Sequence, residues 1–185
     1  MISCFFKISK WKPLNWIATI YLSIIRGTPL MVQAYFLYFG ITSAMGIKID
    51  SFWASVIVLT LNAGAYLSEI FRSGISAVNK GQMEAARSLG LPYHVAMGKV
   101  IIPQAIRIVI PSVVNQFIIT LKDTSILSVI GVGELMRQGT LIVSRTFKGF
   151  EVYAMVAIAY FIVVMVLTKI SQIIERRLSS GKSKG

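Results

Sequence analysis

Histidine and cysteine are almost absent, with one of each, His94 and Cys4, in 185 residues. A lone thiol cannot close an internal disulfide, and neither residue has a second Cys or His at ligand spacing, so metal and redox chemistry have no support. Acids are scarce as well, 7 Asp and Glu against 19 Lys and Arg. No G-x-x-x-x-G-K-[S/T] loop is present to hold nucleotide phosphates, and no catalytic set stands out. The expectation is a chain that is not an enzyme and carries no cofactor. Lys7, Lys10 and Lys12 follow a short apolar start without a small-residue cleavage site after them, so no secretory leader is expected.

What the chain has in abundance is apolar surface: 55% apolar residues against 14% charged and a mean hydropathy of +0.72. That balance excludes an ordinary soluble domain of this size and makes the bilayer the expected solvent. The net charge of +12 raises nucleic acid as a partner. The basic residues, however, fall in short clusters between apolar stretches and do not line one helix, which argues for membrane topology and against nucleic acid.

Four spans are expected. Leu14 to Ile25 is apolar but stops at Arg26-Gly27-Thr28-Pro29, where Pro29 can open a new helix. Leu30 to Ile47, rich in Tyr and Phe, reads as the first span and Phe52 to Ile75 as the second, with Glu69 and Arg72 near its end. Asn79 to Pro92 is a polar helical loop with Gly90 and Pro92 as stop signals. Met97 to Leu121 forms the third span, and Pro103 and Pro111 predict kinks there because each removes a backbone donor. Residues 122 to 149, interrupted by Gly131, Gly133, Gly139 and Gly149, read as short or re-entrant helices. Val152 to Thr168 is the last span and continues past Lys169 into an amphipathic end.

Positive charge orients the bundle. Lys7, Lys10 and Lys12, then Arg72, Lys80, Arg87 and Lys99, then Lys169, Arg176, Arg177, Lys182 and Lys184 place both ends and the loop between spans two and three in the cytoplasm. The expected fold is thus all-α, a polytopic transmembrane helical bundle, as one domain over residues 1–177 with 178–185 as a disordered cytoplasmic tail.

The loop carries EAARSLGLPYHVAMGKVIIP, Glu84 to Pro103. This resembles the loop signature of importer-type ABC permeases: E-A-A, three residues, G, nine residues, then aliphatic-x-aliphatic-Pro. Glu84, Ala85, Ala86, Gly90, Val100, Ile102 and Pro103 occupy those positions, with Val100 and Ile102 replacing the usual isoleucine and leucine. Arg26-Gly27-Thr28-Pro29-Leu30 with Gln33 and Tyr38-Phe39-Gly40, Ala65 to Arg72, and Leu121 to Ser125 are similar to segments of the subfamily that imports polar amino acids and opines. These matches run from about residue 7 to residue 177. Permeases of that group have a further span ahead of the stretch matching Lys7 to Lys12, so the expectation is a chain that starts short of it.

The resemblance implies a permease of the type I importer fold in a bacterial cell membrane, homodimeric or paired with a similar permease. It also implies an extracytoplasmic amino-acid-binding protein and two ATP-binding ABC subunits that hydrolyse ATP. A helix from Glu84 to Gly90 would dock into the ATPase, slim at Ala85, Ala86 and Gly90, with Glu84 pairing at the cleft rim. An ordinary amphipathic loop helix, with Ala serving propensity, is the competing reading of that segment.

Helical geometry indicates where an amino acid sits. Asn62, Tyr66 and Glu69 share one face of the second span, and Gly64 and Ser68 the opposite, small face suited to tight packing. Gln104, Pro111, Asn115 and Lys122 align on the third. An amino acid needs an anion for its ammonium and donors for its carboxylate. Glu69 and Asp123 suit the first role; Asn62, Asn115, Thr124 and Lys122 suit the second. Structural roles compete: Glu69 pairing with Arg72, and Asp123 capping a helix that starts near Thr124. A non-transporting membrane scaffold or assembly protein, an inactive truncated permease, and an ion channel are the rival functions, the channel without a recognisable filter.

Overall fold

Nothing solvates a broken backbone inside hydrocarbon, so the first question is how this chain closes its helix ends. The computed structural model describes residues 12–180; Cys4, Lys7, Lys10 and residues 181–185 of the tail lie outside the described residues. Helix α1 (Lys12–Gly27) ends at the expected Arg26 to Pro29 turn, and extended Pro29 opens α2 (Leu30–Met45) at a bend of 108°. The Gln33 side-chain amide clamps that bend, donating to the carbonyls of Ile25 (2.7 Å) and Thr28 (3.0 Å) and lying 3.0 Å from the Thr28 hydroxyl. Helix α2 widens into a π-turn over Phe36–Ile41, where the Thr42 hydroxyl bonds the Tyr38 carbonyl, and stops at left-handed Gly46.

Asp50 caps α3 (Ser51–Ala77) by accepting from the Phe52 amide, and Asn79 caps α4 (Lys80–Ser88) by accepting from Gly81. Gly90, at φ +83, reverses the chain after α4, and Pro92 opens α5 (Tyr93–Ile130). That helix holds a π-turn over Met97–Ile101 and a final 3-10 stretch over Thr124–Ile130. The π-turn sits directly ahead of Pro103, whereas Pro111 lies inside α-helix. The expected irregularity therefore takes the form of a widened turn, and the chain stays helical from 93 to 130. Glu134 caps α6 (Leu135–Thr146), Phe147 at φ +57 ends it, and α7 (Gly149–Ser180) runs into the tail expected from 178.

Helices α3, α5 and α7 are each long and apolar enough to cross a membrane, and α1 with α2 makes a fourth if the bent pair is one span. The first span is thus corrected. At about 1.5 Å per residue α2 alone falls short of a hydrocarbon core about 30 Å thick, and it passes as a span only together with α1. Of residues 122–149, expected as short helices, 122–130 instead continue α5, and α6 (Leu135–Thr146) is the separate short helix.

Helix α3 is the spine, and its closest neighbour is α5. Gly74 lies against Val109 so tightly that a Cβ there would overlap the Val109 γ-carbon. Ser68 is also buried on α3, and its hydroxyl has no partner among the described residues. At one end Ala34, Ala54, Val58, Leu127 and Ile130 form a core that joins α2, α3 and the 3-10 stretch. At the other, Val78, Ile101 and Ala105 pack with Ile75, Met83, Met97 and Val100, seating α4 on the ends of α3 and α5.

Three outcomes follow from these contacts. Gly74→Leu should destabilise the protein by about 1–3 kcal/mol through overpacking, read as a lower melting temperature in detergent. Gly64→Ala, whose Cβ would meet the Tyr21 hydroxyl at an ordinary 3.5 Å, should change little. Gln33→Leu should loosen the bend: protection of the amides opening α2 against hydrogen exchange should fall several-fold, since the lost hydrogen bonds to the Ile25 and Thr28 carbonyls contribute about 1 kcal/mol.

Candidate substrate site and coupling helix

The polar face of α3 lies against the bent pair α1–α2. Tyr21 of α1 donates to the Leu61 carbonyl at 2.6 Å, and the Asn62 amide, buried, reaches the Gln33 side-chain oxygen at 3.5 Å. One turn on, the Arg26 guanidinium lies 5.7 Å from the centre of the Tyr66 ring and 3.6 Å from the Glu69 carboxylate. Arg72 grips the same carboxylate from within α3, its Nη2 2.8 Å from Oε2 and its Nε 3.2 Å from both oxygens. Asn62, Tyr66 and Glu69 are thus brought together as expected, and the competing reading of Glu69 with Arg72 as an ion pair is also realised.

A cavity of about 430 Å³ opens beside this cluster, lined by Thr19, Leu22, Ser23, Arg26, Gly27 and Tyr66. Its size suits a small polar solute. Thr19, Ser23 and Arg26 fall outside the expected site residues, although their i, i+4, i+7 spacing on α1 marks one polar stripe. Gln33 likewise shows its role only once the bend folds it back on Thr28.

Asn115 opens elsewhere. It lines a cavity of about 540 Å³ between α5 and α7, with Ser112 and Gln116 from α5 facing Thr168, Ser171, Gln172 and Glu175 from α7, and Ile70 from α3 closing one side. That second polar stripe, again at i, i+3, i+4 and i+7, is a signal the last span carries in plain sequence. Lys122 is exposed, and the Thr124 hydroxyl returns to its own helix at the Leu121 carbonyl, 2.6 Å away. Asp123 does not cap a new helix. It has helical φ and ψ of −65° and −20°, its side chain makes no cap bond, and the 3-10 stretch simply continues α5. The capping acid in this region is Glu134, which accepts from the amides of Met136 (2.8 Å) and Arg137 (2.5 Å) and from the Tyr160 hydroxyl of α7 (2.9 Å).

In the loop helix α4, Glu84 and Ala85 are exposed, whereas Ala86 is only 4% exposed and packs inward. The end of α4 is locked by the Leu91 amide on the Ala86 carbonyl and by Arg87 on the Leu91 carbonyl at 2.9 Å. Gln104, aligned with Asn115 on the sequence pattern, instead reaches Gln82 at 3.2 Å and so ties α4 to α5.

Residues 1–180 match the model of the family described as binding-protein-dependent transport system inner membrane component. The chain is 42% identical over 175 residues to the arginine transport system permease protein ArtQ of Bacillus subtilis, covering 95% of this chain and 80% of that protein. It is 41% identical over 165 residues to the glutamine transport system permease protein GlnP of Escherichia coli K12, covering 89% and 75%. Among solved structures, an amino acid ABC transporter crystallised with histidines superposes with a TM-score of 0.92 at 44% identity, covering 95% of this chain and 81% of that chain. The MetNI methionine ABC transporter, at 16% identity and a TM-score of 0.77, shares the fold. The chain therefore belongs to the family of inner membrane components of binding-protein-dependent transport systems, the permease subunits that span the membrane.

Proposed function

We infer that this chain is the permease subunit of an ATP-driven importer of polar amino acids, forming the translocation path and coupling it to partner ATPases. The observation that carries the reading is α4, a polar helix seated on the ends of the two spans α3 and α5, with Glu84 and Ala85 facing outward. A helix held this way passes a push on its outer face directly to two membrane helices. Similarity to proteins named for arginine and glutamine transport supports a polar amino acid as cargo.

On this reading the chain lies in a bacterial cytoplasmic membrane with α4 and the C-terminus in the cytoplasm. It pairs with a second permease, identical or similar, receives cargo from an extracytoplasmic binding protein and leaves ATP hydrolysis to two ATP-binding subunits. Glu84 and Ala85 meet the ATPase; Ala86 and Gly90 shape the helix, one by packing inward and the other by its left-handed turn. Asn62, Tyr66 and Glu69 belong to the cargo site beside α1. Asn115 contributes through the α5–α7 cavity, and Lys122, Asp123 and Thr124 through the far end of α5.

Glu84→Arg should leave the fold intact, because the side chain is exposed, yet reverse the charge offered to the ATPase. Co-purification of the ATPase subunit and amino-acid-stimulated ATP hydrolysis should each fall about tenfold or more. Normal ATPase binding and normal stimulation in this variant would sink the docking role. Ala86→Leu should instead lower the melting temperature, since that face is filled by the chain itself.

A further inference from the structure

Glu69 looks from sequence like the natural receptor for a substrate ammonium, but its carboxylate is already engaged by two guanidinium groups. The Arg72 grip is short and two-pronged; the Arg26 contact is a looser 3.6 Å, and the Arg26 side chain remains 43% exposed against 17% for Glu69. A guanidinium has five N–H donors in a fork that matches a carboxylate, and this one borders a cavity that also offers the Ser23 and Thr19 side chains. The Tyr66 ring centre lies 5.7 Å from the central carbon of that guanidinium. Thus the unspent chemistry at this cavity belongs to a donor with positive charge, and the bend clamped by Gln33 holds that donor in place.

We propose that Arg26, at the cavity between α1 and α3, takes the α-carboxylate of the transported amino acid, and that Glu69 is the internal counter-ion which Arg26 leaves to do so. The inference rests on the amino acid importer reading. Exchange of one carboxylate for another keeps the guanidinium paired with an anion throughout, so neither the empty nor the loaded site leaves its charge without a partner. Glu69 keeps Arg72 in both cases. The substrate's ammonium and side chain point away from Arg26 toward the remaining polar groups of the α3 face.

The test is binding to the full permease with its ATPase subunits in nanodiscs, without the binding protein, using two pairs of probes. L-arginine and L-glutamine carry the carboxylate; L-argininamide and L-glutamine α-amide keep the ammonium and the side chain but lack it. Wild type should prefer an acid to its amide. Arg26→Gln should weaken the acid about 10- to 100-fold and leave the amide within about twofold, removing the preference. Arg26→Lys should restore part of it. Glu69→Gln should tighten the acid, because a competitor for Arg26 has gone. This last variant carries the test should Arg26→Gln not fold.

A preserved acid preference in Arg26→Gln, or weaker acid binding in Glu69→Gln, overturns the assignment, the latter returning Glu69 to the ammonium role. Nanodiscs of zwitterionic lipid alone and with phosphatidylglycerol separate an amino acid from a lipid phosphate: acid preference lost in both arms on Arg26→Gln supports the proposal, whereas an Arg26 dependence seen only with anionic lipid overturns it. If wild type binds neither amino acid and the complete importer, binding protein included, takes up none, the transport reading itself fails. Uptake by wild type with an unaltered Arg26→Gln preference leaves that reading standing and removes only this inference.

Discussion

Every interruption of a helix at membrane depth frees backbone groups that lipid cannot satisfy, and this chain interrupts its helices repeatedly. Each break is repaired by a specific side chain or turn. Gln33 returns its amide to Ile25 and Thr28 at the α1–α2 bend, Glu134 takes two amides at the start of α6, and the π-turn before Pro103 spreads the cost of a missing donor over a widened loop. The repairs are themselves polar groups held in fixed places. Gln33 also meets Asn62, and Glu134 also meets Tyr160. The groups that satisfy the backbone therefore also add polar contacts between α2 and α3 and between α6 and α7, beside the apolar packing of Ala34 on Ala54 and Val58 and of Gly139 on Val156.

Helix α3 serves two purposes, close packing and polar contact, along one stretch. Gly74 and buried Ser68 allow backbones to approach closely, the device that replaces hydrophobic driving force between helices already in an apolar solvent. Asn62, Tyr66 and Glu69 meet α1 and α2, and Gly64, expected on the opposite small face, also meets α1, beside the Tyr21 hydroxyl. Because a helix turns through a full circle in 3.6 residues, these two kinds of contact interleave. A bulky residue at the small face would push α5 away, and a nonpolar one at the polar face would leave Arg26 without its anion.

The spans, the loop helix, the stop at Gly90 and the break at Pro29 are legible in the sequence, because each rests on local chemistry: apolar run length, capping residues, and residues that end helices. The association of Asn62, Tyr66 and Glu69 is legible for the same reason, being a matter of helical phase. What escapes is everything that depends on the second partner. Nothing local says that Arg26 folds across to Glu69, that Gln104 reaches Gln82 and not the polar face of its own helix, or that Ala86 turns inward while Ala85 turns out. Asp123 shows the converse error: an acid before Thr-Ser invites a cap, but a helix that never stops needs none, and the cap belongs to Glu134 after the left-handed turn at Gly131. The stretch expected as the first span from Leu30 to Ile47 reaches spanning length only together with α1, a dependence that lies across the bend and not in the apolar run itself.

The contacts also divide the molecule into parts that move together and parts that can slip. Helix α4 is seated on α3 and α5 through Val78, Ile101 and Ala105 and through Gln82 with Gln104. Those two spans are interlocked at Gly74 and Val109, where interpenetrating surfaces resist sliding. On the proposed coupling, α3, α4 and α5 respond as one unit to the ATPase. Against that unit, α1 is joined by the Tyr21 bond to the Leu61 carbonyl and the looser Arg26 to Glu69 contact, and α7 meets α5 along a polar seam from Ser112 to Glu175. Ion pairs and hydrated polar contacts re-form at shifted positions more cheaply than close-packed apolar ones, because their partners are interchangeable and water fills the gaps. The two cavities border those polar contacts, and on the proposed transport role a solute bound there biases motion only by binding the two arrangements unequally.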